Sequence, residues 1–179
     1  MKQTVLKFGV IAGVILSAMM AFSILVIGDH GSLGLIVGYT TMILAFSLVY
    51  FGVRTYRDVE LKGSISFGRA FATGILITSL ASCFYVATWE VMYYKFMPDF
   101  ATKYAAASIE RAKSSGATPA QLDAKKADMD KFVEMYKNPV IVAAMTFLEP
   151  LPVGLLAALI CAAALKRKGS GGGALATAG

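Results

Sequence analysis

"PVIVAAMTFLEPLPVGLLAALICAAAL", residues 139–165, is the stretch on which the fold turns. It exceeds the roughly 20 apolar residues that a helix needs to cross a bilayer core. It also holds a carboxylate, Glu149, followed by Pro150 and Pro152. Each proline lacks an N–H and clashes with the carbonyl four residues back, at Thr146 and Leu148. In lipid those carbonyls must find other partners or line a wet cavity. The stretch therefore reads as a spanning helix interrupted by a polar notch in one leaflet.

The rest of the chain supports a membrane setting. Of its 179 residues, 57% are hydrophobic, and the mean hydropathy is +0.66. A soluble domain of this length has no core large enough to hide so much apolar surface. Further apolar runs of spanning length lie at about 8–27, 33–53 and 71–94, beside the fourth at about 139–165. The first resembles a signal peptide at Lys2, Lys7 and the small residues Ala18 and Ala21. Its apolar run continues to Ile27, beyond a usual signal core, so a retained span is expected.

The net charge of +6 does not point to nucleic acid. Its lysines and arginines fall in blocks beside apolar runs, with no basic stripe interleaved with aromatics. Lys2 and Lys7 precede span one. Arg54, Arg57, Lys62 and Arg69 lie between spans two and three. Lys166, Arg167 and Lys168 follow span four, and the short connection "GDHGS" has no Lys or Arg. By the positive-inside rule both termini and the 54–70 loop are cytoplasmic, and residues 95–138 are outside. Trp89, Tyr93 and Tyr94 fit an outer aromatic belt, and Tyr50 and Tyr56 an inner one. The two cysteines lie at different depths, Cys83 about 17 Å and Cys161 about 6 Å from the cytoplasmic ends of their spans. A disulfide is not expected, and each reads as a buried small hydrophobe.

The outer segment, 95–138, reads as a helical hairpin. Asp99 is a candidate cap for a first helix, which Gly116 can close. Thr118, Pro119 and Gln121 form a capping box with proline at the first helical position. Leu122, Met129, Phe132, Val133 and Tyr136 then recur on one face. The plainer reading packs that face on the bundle or in the lipid interface; the sharper one docks a partner helix. One membrane domain is expected over 1–168, with a Gly-rich tail at 169–179 set apart as disordered.

Small residues recur every fourth position: Gly9, Gly13, Ser17 and Ala21; Gly34 and Gly38; Ala70, Gly74, Thr78 and Ser82; Gly154, Ala158 and Ala162. Such ridges let helix backbones approach where lipid supplies no hydrophobic drive. They read first as seams inside one bundle and second as oligomer contacts.

Glu90 and Glu149 are the carboxylates inside the spans. They lie about 27 Å and 24 Å along spans three and four, at a similar level. A charge in hydrocarbon is costly unless paired, hydrated or protonated. The plainer reading has Glu90 snorkelling outward and Glu149 hydrogen-bonded to a hydroxyl or paired with a base. The sharper reading is a proton or cation site of a small oligomeric transporter or channel. Asp29 and His30 on the short turn make only a weak metal proposal, with a single histidine in the chain. No HExxH, GxSxG, P-loop or dinucleotide fingerprint is present, so neither an enzyme nor a cofactor is expected. Arg54, Arg57, Lys62 and Arg69 can meet anionic lipid head groups, or a docking protein.

"GYTTMILAFSLVYFGVRTYRD" (38–58), "ISFGRAF" (65–71) and "SCFYVATWEVMYYKFMPDF" (82–100) also resemble the bacterial domain-of-unknown-function family numbered forty-one ninety-nine. The likeness covers nearly the whole chain up to span four. It includes Arg54, Arg57, Asp58, Phe67, Gly68, Phe71 and Glu90, while the Glu149 region belongs less clearly to the pattern. The resemblance implies a small multi-pass inner-membrane protein of a Gram-negative bacterium, and no activity. The expected fold is thus all-α, a four-helix transmembrane bundle with an extracytoplasmic hairpin between spans three and four. The preferred function is a non-enzymatic subunit that self-associates or joins a membrane complex, with the carboxylate-lined transporter as the alternative.

Overall fold

The computed structural model describes residues 1–27 and 32–167. The Asp29–His30 proposal and the 169–179 tail lie outside them. Seven α-helices account for the described chain: α1 (Lys2–Phe22), α2 (Ser32–Thr55), α3 (Phe67–Phe96), α4 (Phe100–Ser114), α5 (Pro119–Met135), α6 (Pro139–Leu148) and α7 (Leu151–Leu165). Short π-helical turns extend α1 over Ser23–Ile27 and α2 over Tyr56–Glu60. Four helical stretches are long and apolar enough to cross a membrane: Lys2–Leu25, Ile36–Glu60, Phe67–Phe96 and Pro139–Leu165. Among the described residues no strand forms; one antiparallel bridge joins Ile65 and Arg167.

The chain divides into two compact units. The first holds Met1–Tyr85 and the chain from Glu149 onward. Its helices approach through the small residues. A side-chain carbon added at Gly74 would meet Ala158 Cβ at 2.9 Å, and one at Gly154 would meet Thr78 Cγ2 at 2.0 Å. The ridges of α3 and α7 therefore face each other. On α1, Gly9 lies against Leu80 and Gly13 against Phe84, and Ser17 donates a hydrogen bond to the Phe84 carbonyl at 3.2 Å. Leu16, Phe46, Val49, Val53 and Ile77 fill the interior. With lipid on the outside as apolar as leucine, this close packing is what selects one arrangement of the helices. Cys161 is buried in that core, while Cys83 is exposed; both are free thiols. The expectation of a buried Cys83 fails because its position on α3 faces away from the packed ridge.

The turn after α2 reverses the chain with Lys62 at φ 53° and Gly63 at φ 93°. Glycine adopts this left-handed region freely; for lysine it costs steric strain. Ser66 caps α3, accepting from the Arg69 N–H at 3.4 Å.

The second unit, Val86–Leu148, is built on aromatic rings. Tyr93, Ala101, Tyr136 and Val142 form its core, with Trp89, Phe100 and Phe132 against it. Phe132 and Tyr136 lie 4.4 Å apart between centroids, and Trp89 meets Phe100 edge-on at 4.9 Å. Of the three rings expected in an outer belt, Tyr94 is exposed but Tyr93 is buried. The Tyr93 hydroxyl donates to the Tyr136 carbonyl at 3.4 Å, which lets the ring be buried without an orphaned polar tip.

The caps of α4 and α5 follow from local sequence. α4 ends at Ser115 with Gly116 at φ 79°. The Gly116 N–H reaches the Lys113 carbonyl and the Ala117 N–H the Ala112 carbonyl, both at 3.1 Å, a Schellman closure. Thr118 and Gln121 form the reciprocal capping box, with Pro119 at the first helical position. Asp99 occupies the cap position of α4 without bonding its N–H groups. Its carboxylate pairs with Lys103 at 2.6 Å instead, and that hydrogen bond holds it below the usual aspartate range. The apolar face of α5 is turned inward: Phe132 meets Tyr104 of α4, with centroids 5.3 Å apart.

Candidate functional site

Glu149 and Pro150 make the turn that separates α6 from α7. Pro150 is the residue before α7, with φ −77°, and Pro152 is the second residue of the helix. The first N–H groups of any helix have no intrahelical partner, so a proline there removes no hydrogen bond. The two prolines thus end one helix and start the next at little cost. Glu149 sits between the C-terminal end of α6 and the N-terminal end of α7. The Tyr85 hydroxyl donates to Glu149 Oε2 at 3.1 Å. The carboxylate itself is exposed and Pro150 behind it is fully buried.

Below this pair on α3, Ser82 and Thr78 continue the same helical face, three and seven residues back from Tyr85. Ser82 is 0% and Thr78 3% exposed. Neither hydroxyl oxygen has a hydrogen-bond partner among the described residues. Sequence reasoning placed Thr78 and Ser82 on a packing ridge and passed over Tyr85. The i, i+4, i+7 spacing of three hydroxyl groups was the available signal.

Glu90 belongs to the second unit. It is half-buried on α3, and its Oε1 is enclosed without a partner, as is Nε1 of the adjacent Trp89. Adjacent helical residues point in different directions, so the two do not satisfy one another.

The four basic residues divide by environment. Arg57 is buried: its Nε and Nη2 donate to Asp58 Oδ1 and Oδ2 at 2.6 and 3.1 Å, and its Nη1 reaches the Leu165 carbonyl at 3.4 Å. It therefore closes the C-terminal end of α7, where a cation meets unpaired carbonyls and the negative end of the helix dipole. Arg54 is exposed, 3.5 Å from Asp58. Lys62 and Arg69 are exposed. Phe67 is also exposed and stacks on Phe71 with the planes 5° apart. Two further links close this basic end. Ile65 and Arg167 exchange backbone hydrogen bonds at 3.1 and 2.9 Å, and the Thr4 hydroxyl donates to Glu60. Among the described residues no group of three His, Cys, Asp or Glu side chains is placed to hold a metal ion.

Four helices long and apolar enough to cross a membrane point to a multi-pass membrane protein. The model of the family described as "Protein of unknown function (DUF4199)" matches residues 7–167, and the chain belongs to that family. The match runs through the fourth span, so the Glu149 region lies within it. Comparison with curated proteins and with solved structures gave no match.

Proposed function

We propose that this chain is a non-enzymatic subunit of a bacterial inner membrane that associates with copies of itself or with a larger membrane complex. The supporting observation is the face of α2 at Gly38. A side-chain carbon added there would meet nothing within 4 Å, whereas those at Gly9, Gly13, Gly74 and Gly154 would strike a neighbouring helix. A small residue with open space beside it lets a second backbone approach. In this reading both chain ends and the 54–70 loop are cytoplasmic. Arg54, Lys62 and Arg69 meet anionic head groups there, while Arg57 serves the fold. α4 and α5 form an extracytoplasmic hairpin. Photobleaching of single labelled particles in lipid nanodiscs tests the association: a fixed number of copies above one is expected, falling to one in Gly38→Ile with helicity unchanged. A clean monomer of the unaltered chain, with no co-purifying partner, rules the reading out.

A second reading is a carboxylate site for protons or small cations in an oligomeric transporter. It is supported by the Tyr85–Glu149 hydrogen bond at a helix break and by the unpartnered Glu90 Oε1. In liposomes, a proton- or cation-driven flux is expected from the unaltered chain and is lost in Glu90→Gln/Glu149→Gln. Absence of any flux from the unaltered chain removes this reading.

A further inference from the structure

Hydroxyl groups on spanning helices ordinarily satisfy themselves on the carbonyl one turn back. Among the described residues Thr41 donates to the Val37 carbonyl and Thr73 to the Arg69 carbonyl, each at 2.8 Å, and Ser47 to the Leu44 carbonyl at 2.6 Å. Ser17 takes a third route, donating across to α3. Thr78 and Ser82 do none of these, although both are among the most deeply buried polar residues of the first unit. An orphaned buried hydroxyl costs about 1–3 kcal/mol, and here two stand one helical turn apart.

Their spacing suits a particular ligand. Residues four apart on a helix have their Cβ atoms about 5–6 Å apart. One water molecule, with hydrogen bonds of about 2.8 Å to each side, spans that gap. A buried water needs two to four polar partners. The two hydroxyls supply two, and the carbonyls of Gly74 and Thr78, one turn behind each, are the next within reach. A side-chain carbon at Gly154 would strike Thr78 at 2.0 Å, so only glycine leaves that stretch of α3 room beside α7. A bare cation suits the place less well, since it demands more oxygen ligands, with formal charge among them.

We propose that Thr78 and Ser82 hold an internal water molecule, which extends the Tyr85–Glu149 pair into a hydrated polar track along one face of α3. Exposure falls along the track from Glu149 through Tyr85 to Ser82 and Thr78. The water stands on the geometry of the hydroxyls alone; the use of the track to exchange protons with Glu149 rests on the carboxylate-site reading.

Solid-state NMR on the full chain in lipid nanodiscs tests it by magnetisation transfer from water. Transfer is expected to reach the Thr78 and Ser82 side chains. Thr73, equally buried but with its own carbonyl, stays dark. Thr78 and Ser82 as dark as Thr73 would overturn the proposal. Thermal unfolding gives a second readout. Thr78→Val and Ser82→Ala each break the bridge and lower Tm by about 2–4 °C, the shift expected for one hydrogen bond in a chain of this size. The double variant loses the same single water and falls by less than the sum. A rise in Tm for Thr78→Val, as relief of a dry orphaned hydroxyl predicts, counts against the water. Glu149→Gln leaves the NMR transfer in place, so a missing flux sinks the carboxylate reading without touching this one.

Discussion

Arg57 stands near the end of a spanning helix, where arginines commonly reach out to lipid head groups. Its side chain is only 10% exposed. Two of its nitrogens are held by Asp58 and a third by the last carbonyl of α7. Removing one partner of a buried charge-assisted hydrogen bond leaves the other unsatisfied. Arg57→Gln is therefore expected to cost about 1.5–3 kcal/mol of stability. Arg54→Gln, at a side chain 55% exposed, should cost less than about 1 kcal/mol. Denaturant unfolding in nanodiscs measures both, and equal effects would refute the capping role. In sequence the two arginines look alike. Both sit in a basic loop beside an aspartate, and nothing local says which one meets the end of a helix more than a hundred residues away. Glu149 is a parallel case. Its neighbouring prolines were legible as a break, but its partner, Tyr85, lies 64 positions back.

Between elements, the glycines set the spacing. Gly154 is pressed on Thr78, a β-branched side chain with little rotamer freedom. Gly154→Ala should force α3 and α7 apart and destabilise the chain by about 1–3 kcal/mol, the usual range for overpacking. Gly68→Ala, at an open position, should leave the melting temperature unchanged. A comparison of the two Tm values decides it, and similar values would mean that the α3–α7 seam is not tight. The ridges themselves were readable from every-fourth spacing. Which ridge met which was not, because any small-residue stripe accepts any other. Helix ends were readable where the signal is covalently local: Gly116 and the Thr118–Gln121 box behave as their residue types require. Asp99 did not, because Lys103 one turn on competes for the same carboxylate.

For the molecule as a whole, the remaining prediction concerns sidedness. A membrane-impermeant amine reagent applied to intact cells should modify Lys125, Lys126 and Lys131 on α5 and spare Lys2, Lys7 and Lys166. The reverse pattern would invert the proposed orientation. The amino-acid order alone determined that the chain is helical and carries four stretches long and apolar enough to cross a bilayer, since a run of about 20 apolar residues favours lipid over water and, once there, must satisfy its backbone internally. It also determined the break at Glu149–Pro150, the closure of α4 at Gly116 and the N-terminal cap of α5, each set by atoms a few bonds apart. The tertiary structure alone decided that Arg57 closes α7, that Tyr93 is core rather than belt, that Cys83 faces outward, and that two hydroxyls on α3 are shut in without partners. Those outcomes depend on which face of a helix meets which neighbour, and helical periodicity fixes the faces without naming the neighbour.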